Sequence, residues 1–509
     1  MSKVSRRPGR EEQKQRQRER KQAQRHLRQQ QVAQGLTPPQ KPLVSNRKSP
    51  WETPEAEQAS RQQTIEAQLQ VFRTILPQLL GRFARISDPR QPKTIKHKLT
   101  VVLLYGLLCF VYQMASRREA NRQMSLPMFE QNLHLLFPEL ESLPHADTLY
   151  RLLQRIDVEQ IQDAQAALMR HLLRNKKFRR YMVQHSYLIA VDGTQKFARE
   201  TPWAAEALQR RRAAGQGETK TQYYVYVMEA NLVLNSGVSL PLRSEFLEYP
   251  DGDVAEAKQD CELKAFERLA ARLKTLFPRL RIMLLLDGLY PNGPVFALCR
   301  RYGWEFMMVL QDKCLPSVWH EFEGLSRLEP EQTLDQAWGD RLQHFRWAND
   351  IRYEYGPNGR RKQTVHVAVC EERWEEIAPD STESVQKKSR HAWISSRPLS
   401  RKNVHDRCNL AARHRWAIES NILVEKRQGY SYEHVFSYDW TAMKGYHYLM
   451  RLAHLINTLV HMSLDLNEQV VSMGTRAFLR LVRETLTGPW LNAQRIRLLL
   501  TRPHQLRIA

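Results

Sequence analysis

The chain has 509 residues, of which 42% are apolar and 26% charged. That composition excludes a fully disordered protein, a collagen and a small disulfide-stapled module, and the length allows about three or four folded units. Lys and Arg number 78 against 54 Asp and Glu, a net charge of +24 that favours a polyanionic partner.

The first 50 residues hold 14 Lys/Arg and 3 Asp/Glu, a net +11. Residues 1–60 are expected to form a basic tail, disordered or partly helical, because apolar residues are too few there for a core. Such a tail is either a solvated extension or an arm that binds phosphates with little sequence preference. The opening MSKVSRRPGREEQ lacks the apolar stretch of a secretory signal. The cysteines (Cys109, Cys261, Cys299, Cys314, Cys370 and Cys408) are scattered, with no CxxC pair and no zinc-ligand spacing, as in reduced cytosolic proteins.

Residues 61–182 read as a helical domain. Apolar residues recur at three- and four-residue spacing in IEAQLQVFRTILPQLLGRF, DTLYRLLQRI and DAQAALMRHLLRN. The longest apolar run, Leu99 to Ala115, only touches the minimum of about 17 residues for a membrane span. Basic residues bound it on both sides, so it is expected to be a buried helix. Lys93, Lys96, Lys98, Arg117, Arg118 and Arg122 edge the domain, which suits DNA docking and plain packing equally.

The pattern changes at residue 187. YLIAVDGTQKF, TQYYVYVMEANLVL and GVSLPLRSEFLEY read as strands, and residues 260–277 as a helix. RIMLLLDG, PVFALCRRYG and WEFMMVLQ then read as strand, helix and strand. This order predicts a mixed α/β sheet. Residues 311–400 are expected to be rich in β-structure, with two strands around the turn Pro357-Asn358-Gly359, a polar loop at 378–390 and a strand at HAWISSRPL. A helix is expected from Asn403 onwards.

Two acids stand out. Asp192 follows the apolar run Tyr187–Val191 and Asp287 follows Ile282–Leu286, so each is expected at the exit of a strand, where open sheets form ligand crevices. Two such carboxylates on a basic protein suit Mg²⁺ or Mn²⁺. At about 100° per residue, with Arg415 as zero, Glu419 falls near 40° and Lys426 near 20°. Ile422 and Leu423 flank this stripe, which is therefore expected to face the protein body. Glu425 falls near 280°, on another face. Arg415 and Glu419 are either a metal and phosphate site or an ordinary helix-surface ion pair.

These residues resemble the DDE transposases of bacterial insertion sequences, in the group with a Tyr-x2-Arg-x3-Glu-x6-Lys signature. AVDGTQ carries Asp192, LLLDG carries Asp287, and Arg415-x3-Glu419-x6-Lys426 matches the signature spacing, with Ala412 at the Tyr position. The segment 85–180, with SRREANRQ and HADTLYRLLQRID, resembles the leader of such proteins. The resemblance implies an RNase H-like catalytic domain at 183–460, with a β-rich insertion at 311–400 and a helical segment at 461–509. It implies that Asp192, Asp287 and Glu419 are catalytic and ligate two divalent ions, Mg²⁺ or Mn²⁺, while Arg415 and Lys426 bind DNA phosphates. His414 is a core histidine or a DNA contact. Arg346, Trp347, Arg352, Arg360 and Arg361 are candidate DNA contacts of the insertion.

The implied function is a DNA transposase that cuts the ends of its own insertion sequence and joins them to target DNA. The implied partner is double-stranded DNA, bound by a homo-oligomer on paired ends. The implied location is the bacterial cytoplasm, at the nucleoid when on DNA. The rivals are a DNA-binding protein that no longer cuts and a metal-dependent nuclease without strand joining.

Overall fold

A computed structural model describes residues 10–39, 49–214, 218–248 and 260–509. The chain opens with helices α1 (Arg10–Ala33), α2 (Pro54–Phe83), α3 (Leu99–Val111), α4 (Arg117–Met124), α5 (Pro127–Leu136), α6 (Ala146–Leu153) and α7 (Glu159–Arg174). Strands β1 (Tyr187–Arg199), β2 (Leu208–Ala214), β3 (Glu218–Val233) and β4 (Ser239–Leu247) follow. Next come α8 (Glu262–Leu276), β5 (Ile282–Leu286), α9 (Gly293–Tyr302), β6 (Glu305–Val309) and α10 (Pro316–Leu328). A strand-rich stretch holds β7 (Thr333–Trp338), β8 (Arg341–Tyr355), β9 (Arg361–Ile377) and β10 (Ser384–Ser395). The chain ends with α11 (Trp416–Arg427), α12 (Trp440–His461), α13 (Leu464–Met473), α14 (Thr475–Leu486) and α15 (Ala493–Leu500). This is the mixed α/β fold expected, with a helical N-terminal region and a β-rich stretch.

The described residues divide into two units, one within Met1–Lys41 and Met283–Arg413, the other within Pro42–Ile282 and His414–Ala509. The second is the helical unit. Its centre is α12, buried on nearly every side, as befits a core helix. α3 packs against α12 and α6 at Gly106, where a β-carbon would stand 2.8 Å from Leu149 and 2.9 Å from Leu449. α3 is thus the buried helix expected, and no helix among the described residues is long and apolar enough to cross a membrane. In the same unit β3 pairs antiparallel with β1, β2 and β4.

In the strand-rich unit β5 and β6 are parallel, and β6, β10, β9, β8 and β7 pair antiparallel in that order. All of Ile282–Leu286 is buried, which explains the unbroken apolar run of β5. Asn292 caps α9 by accepting the Val295 N–H, and Gly303, at φ +67°, ends it.

Several expectations are corrected. β1 continues to Arg199, so Asp192 lies inside a strand and not at its exit. The polar continuation Gly193–Arg199 is held by cross-strand pairing with β3 through a register shift at Gln195/Phe197, which no local apolar pattern announces. β2, with its run Arg210–Arg212, forms for the same reason. The polar loop expected at 378–390 is largely β10, whose residues Ser384–Arg390 pair with β9. The helix expected from Asn403 is broken: a π-helical segment, Asp406–Ala411, and a 3₁₀ turn, Ala412–Arg415, precede α11. The widened turn carries Arg407, buried and paired with Glu305 at 2.7 Å. The basic tail is also not wholly solvated. Leu27 and Leu36 are buried, Gln31 donates to the Glu375 carbonyl at 3.2 Å, and the Thr37 N–H donates to the Gly339 carbonyl at 2.8 Å.

Candidate active site

Asp192 sits in β1 directly opposite Glu229 of β3 and is partly exposed. The next residue must be small: a β-carbon on Gly193 would stand 2.6 Å from the Tyr226 ring. Tyr226 donates to Glu262 on α8 at 2.6 Å, so the ring cannot yield freely.

α11 packs on β1 and β3 of the same unit. Its stripe forms as the helical angles predict. Arg415 Nη1 lies 2.8 Å from Glu419 Oε1, with Arg415 nearly buried and the Glu419 side chain 33% exposed. Arg415 also stacks over Trp416, which is 61% exposed. Lys426 Nζ donates to the Gln195 carbonyl of β1 at 3.2 Å and pairs with Glu433 at 3.2 Å. The helix therefore lays its cationic end on the strand that carries Asp192. One expectation fails here: Ile422 is buried but Leu423 is 47% exposed, so the stripe runs along the border between core and solvent.

Glu425 takes the other face, as expected, and is fully buried. It accepts from Arg451 Nη1 at 2.8 and 3.0 Å and shares a hydrogen bond with His454 Nδ1 at 2.6 Å. Arg451 also pairs with Glu229 at 3.1 Å, and Glu229 accepts from Ser244 at 2.6 Å and Tyr432 at 2.9 Å. Burial raises both carboxyls, but Arg451 together with His447 and Ser244 at Glu229, and with His454 at Glu425, outweighs it and holds them below the usual carboxylate range. Lys196 of β1 is buried against Tyr432, and that burial pushes its ammonium down to about 8 against the pull of Glu229 and Glu425. The sequence reading missed this cluster. Its signal was there: His447, Arg451 and His454 recur at helical spacing on one side of an otherwise apolar α12.

In the strand-rich unit Asp287 follows β5 directly, as expected, and is partly exposed. Its Oδ1 accepts the Leu289 N–H at 2.9 Å, closing a tight turn. Gly288 permits that turn, since a β-carbon there would meet the Gln311 side chain at 2.5 Å. Of the arginines singled out in the insertion, Arg346 pairs with Glu371 at 3.2 Å and Arg352 with Glu354 at 3.6 Å, while Arg360 and Arg361 are exposed. Trp347 is 4% exposed and belongs to the core of its unit, so it is withdrawn as a DNA contact. In the helical unit His414 is half-buried beside the Gly237 turn, and burial lowers its imidazole.

The donor chemistry of Asp192, Asp287 and Glu419 fits a hard divalent cation, all three being partly exposed carboxylates. Among the described residues no three His, Cys, Asp or Glu side chains are gathered into a metal-holding group.

Residues 80–169 match the DDE_Tnp_1-associated family model. The match points to a DDE-type transposase family. It spans the end of α2 through most of α7, the segment whose sequence resembles a transposase leader, and it stops before β1 and the acids. No curated protein matches the chain.

Proposed function

We propose that the chain is a metal-dependent DNA transposase with an RNase H-like catalytic domain, which cuts the ends of its own insertion sequence and joins them to target DNA. The observation that carries this reading is the docking of α11, with Glu419 and Lys426, onto the strand of Asp192. The matched segment 80–169 supports it independently.

In this reading Asp192, Asp287 and Glu419 hold two Mg²⁺ or Mn²⁺ ions, which supply an activated attacking oxygen and stabilise the leaving oxygen. Arg415 steadies Glu419 and offers its guanidinium fork to a phosphate, and Lys426 offers a point charge. Exposed Trp416 extends the same surface. The partner is double-stranded DNA, bound by a homo-oligomer on paired ends in the bacterial cytoplasm and nucleoid.

The test is a cleavage assay on plasmid DNA carrying the sequences that flank the gene, with Mg²⁺ or Mn²⁺. End-specific cuts by wild type, lost in Glu419→Gln and in EDTA, are expected. Cutting by Glu419→Gln at the wild-type rate would sink the assignment. A second reading, a DNA-binding protein that does not cut, draws on the Arg415–Glu419 ion pair. It predicts end binding without cuts under both metals. A nuclease without strand joining would cut but yield no joined products from pre-cut ends and target.

A further inference from the structure

The C-terminal helices carry a cationic trough that the catalytic reading leaves unused. α14 is amphipathic: Phe478, Leu481, Val482 and Leu486 are buried, whereas Arg476, Arg480 and Arg483 recur at helical spacing on the other side. Arg483 is committed, paired with Glu119 of α4 at 2.6 Å. Arg476 and Arg480 are exposed and have no ion-pair partner among the described residues.

Two clefts of the helical unit, of about 480 and 540 Å³, share Arg476, Arg480 and Gln428 in their walls. Glu484 lines the first cleft, beside Gln113 and Gln123, but the second has no acid among its lining residues. The N-terminal turn of α14, Gly474 to Arg476, lines that second cleft, with the Gly474 N–H donating to the Val470 carbonyl at 2.8 Å. The floor is built rigidly. Gln113, at φ 55°, donates to the Gln428 carbonyl at 2.7 Å, and Gly429, at φ +93°, leaves no room for a β-carbon beside Gln113.

We propose that this trough binds the phosphodiester backbone of duplex DNA through Arg476 and Arg480, an inference that rests on the transposase reading. Two arginines one helical turn apart, about 5–6 Å between β-carbons, suit neighbouring phosphates better than one small anion. Gln428 of its wall directly follows α11, the helix that carries Glu419.

The experiment measures binding of a duplex element end over a salt series, with cleavage of the same DNA followed in parallel. Wild type is compared with the double variants Arg476→Ala/Arg480→Ala and Arg476→Lys/Arg480→Lys. The alanine pair is expected to flatten the plot of log K against log salt by about 2, and the lysine pair to keep the wild-type slope. In a scan of single methylphosphonates along the duplex, at least one position should weaken wild type and leave the alanine pair unaffected. An unchanged slope in the alanine pair, while wild type binds and cuts, overturns the trough and spares the transposase reading. Equal loss in the lysine pair overturns it too, because lysine keeps the charge. A wild type that neither binds nor cuts duplex DNA removes the transposase reading itself.

Discussion

Two faces of α11 use the same residue type in opposite ways. Glu425 is fully buried, with Arg451 and His454 engaging both of its oxygens. Glu419, six residues earlier, keeps a third of its side chain exposed and has Arg415 as its ion-pair partner. A carboxylate buried with both oxygens engaged can hold structure but is closed to a ligand. One with a single partner keeps oxygens available to a cation or a phosphate contact. The comparison assigns Glu425 to architecture and leaves Glu419 open to the chemistry proposed for it.

The largest effect should come from the open face. Glu419→Gln should reduce end cleavage by on the order of 10³-fold or more, as loss of a catalytic group does. Its thermal midpoint should stay at the wild-type value by calorimetry. A large drop in midpoint would erase the contrast. Glu425→Ala should do the reverse, because it leaves Arg451 buried beside Glu229 with half its compensation gone. A cost of about 3–5 kcal/mol is expected from urea denaturation.

A third test carries the contrast into the strand-rich unit, where Glu372 is as buried as Glu425. It accepts from Gln343 and Arg341, each at 2.6 Å, and from Arg413 and Ser389. Burial raises its carboxyl, but His391, Gln343, Arg413 and Arg341 outweigh that and hold it well below the carboxylate range. A depressed folded pKa contributes stability above the unfolded value, near about 4.3, and that stability fades as pH falls through the folded value. Urea denaturation should therefore show wild type losing stability below about pH 4. Glu372→Gln should lose less over the same interval, though it starts lower at neutral pH. Parallel acid limbs would refute the assignment. The smallest effect is expected from Lys426→Ala, which should flatten the salt dependence of end binding by about 1. Its tie to Gln195 is a single backbone contact, so little stability should be lost.

Much of this was legible in residue order. Ile282–Leu286 is apolar without a break because β5 is buried on both faces, so Asp287 was correctly placed at its end. The i,i+4 pairing of Arg415 and Glu419 survived even though Arg415 ends a 3₁₀ turn, because its own backbone, at φ −50° and ψ −40°, is already α-helical where α11 begins. The leader-like segment was legible too, and the family match falls on it. Other features left no local trace. Asp192 seemed to end its strand because Gly193 and Thr194 resemble a turn. Only the pairing with Tyr224 to Met228 keeps that chain extended. Trp347 looked like a surface aromatic among arginines, yet strand alternation on β8 turns it inward.

Sequence alone thus determined the mixed α/β class, the buried character of α3, the stripe on α11 and the net positive charge. These follow from local periodicity and composition, which act within a few residues. Tertiary structure decided which carboxylates are sealed in the core with their partners and which stay partly exposed. Glu425 and Glu419 are the same residue on the same helix, and nothing in twelve residues of α11 shows that Arg451 and His454, on another helix, converge on one and leave the other open. Desolvation and pairing depend on neighbours distant in the chain, so the division between structure and chemistry exists only once the chain has folded.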